Sequence, residues 1–277
     1  MTTTAIGVNP VDAAVRAGYF PLLGDPPFTL GWDIAGTVHA LGPGVTDLAV
    51  GERVYGMAAF PAQAAGYAEQ VRVRVAELAR TPDTIDDRQA AGLGLVGLTA
   101  YQALVEVGGI GAGDRVLVQA GGGGVGHVAV QLARSLGAHV VATASPGKVD
   151  FVAGLGAEEV VNYEVTDYTT IDPVDLAIDP FGGPNTARTL QTLRSGGTLA
   201  LLVGAFDDAV QAAAAAQGVR LARIDVVPNA GSLAALTELV GAGRIVPHVS
   251  ATFPLDKAGE AHRHLDTGVQ GKVVLLP

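Results

Sequence analysis

The stretch Arg115–Gly137, RVLVQAGGGGVGHVAVQLARSLG, decides the fold of this chain. It opens with the apolar, β-branched run Val116–Val118, which is typical of a buried parallel strand. Four consecutive glycines, 121 to 124, come shortly after this run. Beyond them apolar residues recur at helical spacing as far as Leu136, and Gly137 is a natural helix stop. The stretch therefore predicts a strand, a glycine turn and a helix in direct succession.

The glycines match the pattern Gly121-x-Gly123-x-x-Gly126 between a strand and a helix, the setting that a dinucleotide-binding fingerprint requires. Glycines let the chain turn tightly and let its backbone approach a pyrophosphate. The free N–H groups at the helix start can then bind the pyrophosphate oxygens. The alternative interpretation is a flexible glycine turn without a ligand. The flanking strand and helix favour nucleotide binding.

The composition of the 277-residue chain narrows its class. It is 49% hydrophobic and 16% charged, so it can bury a substantial core. A net charge of −10 argues against nucleic acid or an anionic membrane as a partner. The chain has no cysteine, which excludes disulfides and thiolate metal sites. Because no basic, apolar leader and no long apolar run is present, we expect a soluble cytoplasmic protein.

Two kinds of pattern divide the chain. Residues 1 to about 90 are rich in strand-like segments between Pro/Gly turns. After a helical pattern over 87–107, strands and helices alternate, which predicts a parallel sheet with crossover helices. The predicted strands are 33–40, 53–57, 67–75, 115–120, 139–144, 159–162, 174–178, 198–203, 219–227, 246–250 and 272–276. The predicted helices after the glycine turn are 125–136, 147–155, 184–194, 233–241 and 256–265.

Short ordered motifs run along the chain beside the glycine turn. They are GVNPVD (7–12), GWDIAG (31–36), GPGV (42–45), GERVYG (51–56), GLTAY (97–101), LGA (155–157), DPFGG (179–183), FPL (253–255) and GKVVL (271–275). Together they resemble the medium-chain dehydrogenase/reductase superfamily, in particular its zinc-free quinone oxidoreductases of the zeta-crystallin type. The resemblance covers Gly7 to Pro277.

This resemblance implies an α/β architecture with a discontinuous first domain. A GroES-like β-barrel domain takes residues 1–94 and 228–277, and a Rossmann domain with a doubly wound parallel sheet takes residues 95–227. The active site is expected in the cleft between them. Similar proteins begin earlier, whereas only Met1 to Ile6 stand before GVNP here. We therefore expect the β domain to lack its first strands and to expose a sheet edge.

The resemblance also bears on metal binding. Zinc-dependent relatives place a Cys where Asn9 stands and a His-Glu pair where Trp32 and Asp33 stand. A carboxamide, an indole and one carboxylate do not make a tetrahedral N/S site. The six histidines do not reproduce the superfamily's ligand pattern either. We expect no metal.

The cofactor expectation is NADPH. NAD-selective Rossmann folds carry an Asp or Glu about 20 residues after the first glycine, but Val141 to Ser145 contain no acid. Ser145, Lys148 and Tyr163 match positions that contact the 2′-phosphate of NADPH in similar reductases. The resemblance also assigns pyrophosphate binding to the loop residues Gly123, Gly124, Val125 and Gly126. It places Asn9, Thr99, Val203 and Gly204 near the nicotinamide.

No catalytic dyad or triad is visible, and a cofactor that delivers hydride needs none. Candidate catalytic residues are Asn9 and Tyr55, either of which could donate a hydrogen bond to a substrate oxygen. The sequence thus favours a reductase of small-molecule quinones or conjugated alkenes. Alternatives are a specialised biosynthetic enzyme on the same fold, for enoyl reduction or cyclisation, and a nucleotide-binding protein without redox turnover. A homodimer through the Rossmann edge strand 219–227 is also expected.

Overall fold

A computed structural model describes all 277 residues, which form two compact units. The first contains Met1–Leu98 and Val227–Pro277, and the second contains Thr99–Val226. No helix combines the length and the hydropathy that a membrane crossing requires.

Twelve strands and nine α-helices make up the units. The strands are β1 (Thr2–Val8), β2 (Asp33–Thr37), β3 (Arg53–Met57), β4 (Leu78–Arg80), β5 (Arg115–Val118), β6 (His139–Ala144), β7 (Glu159–Asn162), β8 (Val174–Asp179), β9 (Leu193–Leu201), β10 (Arg220–Arg223), β11 (Val249–Pro254) and β12 (Lys272–Leu276). The helices are α1 (Pro10–Arg16), α2 (Asp87–Ala91), α3 (Gly94–Tyr101), α4 (Gly124–Ser135), α5 (Val149–Gly154), α6 (Pro184–Leu190), α7 (Asp208–Gln217), α8 (Ala230–Gly241) and α9 (Ala258–Leu265).

The first unit is built on a six-stranded sheet in the order β11-β12-β1-β2-β3-β4. Only the β11–β12 pair is parallel. Strand β1 lies inside this sheet, where Ile6 is paired with Leu275 on one side and Ile34 on the other. All three side chains are fully buried. The edges of the sheet are therefore β11 and β4, and the first strand of the chain is a central one.

The second unit carries the predicted parallel sheet, in the order β10-β9-β8-β5-β6-β7. Strand order reverses beside β5, so the crevice at the carboxyl ends of β5 and β8 is the switch point where such sheets bind ligands. Leu117, Val141 and Leu199, from three of these strands, belong to one buried apolar cluster. The strand, glycine turn and helix predicted from 115–137 are confirmed as β5, the turn and α4.

Several predicted elements differ from the structure. The segment 67–75 is not a strand, because it pairs with the start of β1 only irregularly, through backbone bonds such as Thr3 N to Glu69 O (2.9 Å). The helical pattern over 87–107 is interrupted at Gly92, which caps α2, and ends in a π-helical turn at 102–107. Strand β11 begins at Val249 rather than at 246, since Pro247 has no N–H to donate. Strand β10 is shorter than the predicted 219–227, and β1 and α1 were not predicted.

A buried Tyr–His pair lies in the first unit. The Tyr67 hydroxyl is 2.9 Å from Nε2 of His262 on α9. His262 is 1% exposed, and its Nδ1 has no hydrogen-bond partner. Burial lowers the pKa of the His262 imidazole from 6.5 to about 4. The ring is therefore neutral near pH 7.

This pair should make the first unit sensitive to acid. Because the folded pKa of His262 lies below the unfolded value, its contribution to stability is complete above pH 6.5 and is lost as the pH falls towards 4. In the wild type, His262 should lower the unfolding free energy by up to about 3 kcal/mol between these pH values. The variant His262→Gln should not show this decrease. Urea unfolding at several pH values measures it.

The matched control for this prediction is His264→Gln, two residues further along the same helix. This substitution keeps the Tyr67–His262 contact, so it should keep the acid sensitivity that the pair gives. Equal acid sensitivity of the wild type and His264→Gln is expected. Equal acid sensitivity of the wild type and His262→Gln would contradict the assignment.

Candidate functional site

The glycine turn is fixed to the neighbouring strand by its backbone. Ala120 adopts a positive φ of 51°. Its N–H donates to Thr143 Oγ1 (3.1 Å), and the Gly121 N–H donates to the Thr143 carbonyl oxygen (2.9 Å). The Gly123 N–H donates to the Ala120 carbonyl oxygen (2.8 Å), and this hydrogen bond closes the turn. The turn therefore has a defined shape and is not a loose tether.

Two glycines are required by close approaches. A Cβ atom on Gly126 would lie 2.1 Å from the Ala120 carbonyl oxygen, and one on Gly121 would lie 2.9 Å from the Ala142 Cβ. Residues 123–125 are partly exposed at the tip of the turn. The first N–H groups of α4 have no partner within the helix, so they can bind an anion at this exposed tip.

His127 lies on the first turns of α4 but not on the exposed tip. Its side chain is fully buried, and its Nδ1 lies 3.0 Å from the Gly123 carbonyl oxygen. The ring therefore supports the turn from inside the unit.

The residues predicted to bind the 2′-phosphate follow β6 and β7. Ser145 and Lys148 come directly after β6, and Tyr163 follows β7 and is 50% exposed. The Lys148 side chain lies against the glycine turn, since its Cδ would be 3.0 Å from a Cβ on Gly122. Partial burial lowers the pKa of its ammonium group. The end of β6 and Ser145 contain no carboxylate, and the Lys148 ammonium group follows three residues later.

The remaining predicted cofactor residues of the second unit occupy different settings. Val203 and Gly204 are exposed just beyond the carboxyl end of β9. The Val203 carbonyl oxygen lies close to the DPFGG turn, 2.8 Å from where a Cβ on Gly182 would be. Thr99, on α3, is 5% exposed.

Asn9 lies in the first unit, at the junction of β1 and α1, and is fully buried. Its Nδ2 donates to Asp33 Oδ2 (2.9 Å), and its Oδ1 accepts from Lys272 Nζ (2.5 Å). Lys272 Nζ is also 3.4 Å from Asp33 Oδ2. Both ends of the Asn9 carboxamide are thus engaged by buried charged groups.

Burial dominates the electrostatics of this cluster. It raises the pKa of the Asp33 carboxyl and lowers that of the Lys272 ammonium, while the contact between the two opposes each shift. Asp12 lies beside them and accepts from the Asn9 N–H (2.8 Å) and the Gly31 N–H (3.1 Å). Burial raises the pKa of the Asp12 carboxyl to about 7.

Tyr55, the other candidate catalytic residue, fills the core of the first unit. Its side chain is fully buried and its hydroxyl lies 2.8 Å from Thr237 Oγ1. Burial raises the pKa of the Tyr55 hydroxyl to about 12. This position gives Tyr55 a packing role, and a catalytic role for it stays a prediction.

Sequence reasoning missed the roles of Asp12, Asp33 and Lys272 in holding Asn9. The signal was present, since Asp33 and Lys272 stand within apolar strand segments where charged side chains are rarely buried without partners.

The residues that stand where zinc-dependent relatives carry their zinc ligands make other contacts in this chain. Trp32 is buried and donates from Nε1 to the Ala62 carbonyl oxygen (2.8 Å). No group of three His, Cys, Asp or Glu side chains lies close enough together to hold a metal ion.

Comparison with known proteins gives the same architecture. Residues 1–107 match the family described as alcohol dehydrogenase GroES-like domain, and residues 155–275 match the one described as zinc-binding dehydrogenase. The solved quinone oxidoreductase from Coxiella burnetii superposes with a TM-score of 0.92 at 33% identity, covering 100% of this chain and 89% of that one. The predicted fold class, a GroES-like domain with a Rossmann-type parallel sheet, is confirmed.

Relatives with named activities are also similar. The 2-haloacrylate reductase of a Burkholderia species is 34% identical, with 100% of this chain and 90% of the relative covered. A mycobacterial structure complexed with NADPH has a TM-score of 0.87 at 31% identity, covering 100% of this chain and 90% of that one. The polyketide synthase GfsB of Streptomyces halstedii is 36% identical over 97% of this chain, which spans only 5% of that protein.

The close approach at Gly126 yields a prediction. Gly126→Ala should lower the unfolding free energy by about 1–3 kcal/mol, because the new methyl group meets the Ala120 carbonyl. It should also weaken nucleotide binding, since α4 must move away from β5. Thermal unfolding and NADPH fluorescence titration measure the two effects.

Gly154→Ala is the matched control, because a Cβ there meets no atom within 4 Å. It should leave nucleotide binding unchanged and stability equal or slightly higher, as alanine is the better helix former. Equal behaviour of the two variants would show that the close approach at Gly126 is not needed.

Proposed function

Because the chain belongs to the medium-chain dehydrogenase/reductase superfamily, we propose that it is an NADPH-dependent, zinc-independent reductase of quinones or carbonyl-conjugated alkenes. Its relatives support the coarser assignment as an oxidoreductase. The observation that carries the finer proposal is Lys148, which lies against the glycine turn, while Val141 to Ser145 at the end of β6 contain no carboxylate.

Cofactor binding in this proposal follows from the second unit. The N–H groups at the start of α4 bind the pyrophosphate, and Lys148, Ser145 and Tyr163 bind the 2′-phosphate. The Lys148 ammonium contributes a charge-assisted hydrogen bond that a ribose hydroxyl cannot match. A carboxylate in the same place would instead have favoured NADH. Bound NADPH supplies the hydride.

The acceptor follows from the residues available to polarise it. Asn9, Trp32 and Asp33 offer a carboxamide, an indole and a carboxylate that Lys272 already contacts. This set gives an isolated ketone or aldehyde little polarisation. A quinone or conjugated alkene needs less, because its extended π system spreads the developing negative charge. Positioning then supplies most of the rate.

A second candidate has one specific observation in its favour, the similarity to a polyketide synthase. It keeps the fold and the cofactor but reduces an enoyl group on a dedicated biosynthetic substrate. A narrow preference for one complex substrate in the acceptor assay below would support it over general quinone or enone reduction.

We also propose a homodimer formed through the edge of the parallel sheet. Strand β10 is an edge strand of the second unit. Its outer side offers unpaired backbone groups for a second copy to pair with. Arg223, whose guanidinium contacts Asp225 at 2.9 Å, bounds the length available for pairing.

The cofactor proposal predicts a selective effect of Lys148→Ala. Loss of the phosphate contact should cost about 1.5–3 kcal/mol. That change weakens NADPH binding by roughly tenfold or more while NADH binding stays nearly unchanged. Fluorescence titration with both cofactors measures it. Lys257→Ala, which removes an exposed lysine of the first unit, should alter neither affinity. Equal losses for NADPH and NADH in Lys148→Ala would refute the role in phosphate recognition.

The reaction is tested by following NADPH absorbance with a panel of quinones, enones, simple ketones and, in the reverse direction with NADP⁺, simple alcohols. We expect oxidation of NADPH with the conjugated acceptors and little with the ketones. Prior dialysis against EDTA should not change the rates. Turnover of ordinary alcohols without a response to any conjugated acceptor would overturn the proposal. Failure to bind NADPH at all would favour the alternative role without redox turnover.

A further inference from the structure

The Asp33 carboxylate lies at the centre of the buried cluster that it forms with Asn9 and Lys272 in the first unit. Its Oδ2 accepts from Asn9 Nδ2 (2.9 Å) and lies 3.4 Å from Lys272 Nζ, and its Oδ1 accepts from the Leu95 N–H (2.6 Å). Asp33, Asn9 and Lys272 are each 2% exposed or less. One carboxylate therefore ties together the end of β1, the start of β12 and the first turn of α3.

The cluster fixes which way the Asn9 carboxamide faces. An ammonium group can only donate and a carboxylate can only accept. The atom that faces Lys272 must therefore be Oδ1, and the atom that faces Asp33 must be Nδ2. A 180° flip of the amide would place donor against donor and acceptor against acceptor. Asn9 is thus held in one orientation, with the second Nδ2 hydrogen left over for a further acceptor.

The same carboxylate fixes the start of α3. The Leu95 N–H, in the first turn of this helix, donates to Asp33 Oδ1. Thr99 follows Leu95 by one helical turn, so the two lie on the same face. The bond at Leu95 therefore holds the first turn of the helix that bears Thr99. Asp33 thereby contacts both the Asn9 carboxamide and the first turn of α3.

We infer that Asp33, with Lys272 as its counter-ion, is a positioning residue for hydride transfer that acts through the Asn9 carboxamide. The inference rests on the proposed function and on the expectation from the sequence that Asn9 lies near the nicotinamide. It is independent of pyrophosphate and 2′-phosphate binding, which belong to the second unit. The pair should therefore affect the hydride-transfer step far more than cofactor affinity.

The charges of the pair argue for this role over a purely stabilising one. Replacing a buried ion pair by neutral groups of similar size is often neutral or stabilising for a fold. If Asp33 and Lys272 only stabilised the fold, neutral side chains of similar size could replace them with little effect. If they orient the Asn9 carboxamide, neutral side chains cannot replace them, because both orientations of the amide then become possible.

The test uses the full-length double variant Asp33→Asn/Lys272→Met, which removes both charges of the pair together and leaves Asp12 as the one carboxyl of the cluster. We expect it to fold with a thermal midpoint near that of the wild type and to bind NADPH within about threefold of the wild-type affinity. Its rate of hydride transfer should fall about tenfold to a hundredfold, as expected for a misplaced reacting group. Single-turnover mixing of the enzyme–NADPH complex with the best conjugated acceptor of the panel measures that rate.

A matched control removes another ion pair of the same unit. Arg53 and Asp87 form a half-buried salt bridge of 2.7 Å. The variant Arg53→Met/Asp87→Asn should transfer hydride at the wild-type rate even if its thermal midpoint falls. A wild-type rate in the Asp33/Lys272 double variant would overturn the inference, as would an equal loss in both double variants.

A second readout does not depend on turnover. The chain contains four asparagines, so labelling with [¹⁵N]asparagine gives four side-chain amide signals, and Asn9→Ser identifies that of Asn9. NADP⁺ should shift the Asn9 signal in the wild type, and the double variant should lose that shift. If NADP⁺ shifts the Asn9 signal but the wild type reduces no acceptor, the proposed reaction is wrong and the inference stands. If bound NADP⁺ does not shift the Asn9 signal, the inference is wrong even if the enzyme is active.

Discussion

The contact between the Gly126 backbone and the Ala120 carbonyl oxygen is the constraint on which the second unit depends. Even one methyl group at Gly126 would lie 2.1 Å from that oxygen, so α4 can approach β5 only because the side chain is absent. The approach places the first N–H groups of α4 at the carboxyl end of the central strand, beside the reversal in strand order. Backbone geometry alone therefore presents these N–H groups at the end of the unit where the proposed cofactor would bind.

The first unit depends on a different kind of interaction. Asp33 and Lys272 are buried charges, and taking each from water costs several kcal/mol. The cost is offset by contacts that satisfy both groups, including the Leu95 N–H and the Asn9 carboxamide. Strand β1 makes this possible, because it lies between β2 and β12 and brings their ends to Asn9. The apolar core and the buried charges share the same three strands.

This contrast explains what the sequence could predict. The strand, glycine turn and helix depend on neighbouring residues, so local spacing over 115–137 was sufficient. The cluster at Asn9 joins residues that are 24 and 263 positions apart, and no local pattern contains such a contact. Strand β1 was missed for a related reason, since the threonines at its start are held by pairing with distant strands. The prediction of one helical segment over 87–107 is wrong at Gly92, where α2 ends. Apolar periodicity contains no information about where a helix is capped.

The settings of the titratable side chains in the first unit point to the source of the proton in the proposed reaction. Burial raises the pKa of Tyr55 to about 12 and that of Tyr67 well above its usual value, so both hydroxyls keep their protons near pH 7. His262 is neutral at that pH because burial lowers its pKa to about 4. A good general acid has a pKa near the working pH, and none of these groups does. Asp12, at about 7, is enclosed by the backbone N–H groups that it accepts from. In the proposed reaction we therefore expect water to supply the proton, while the protein holds the cofactor and a carboxamide of fixed orientation.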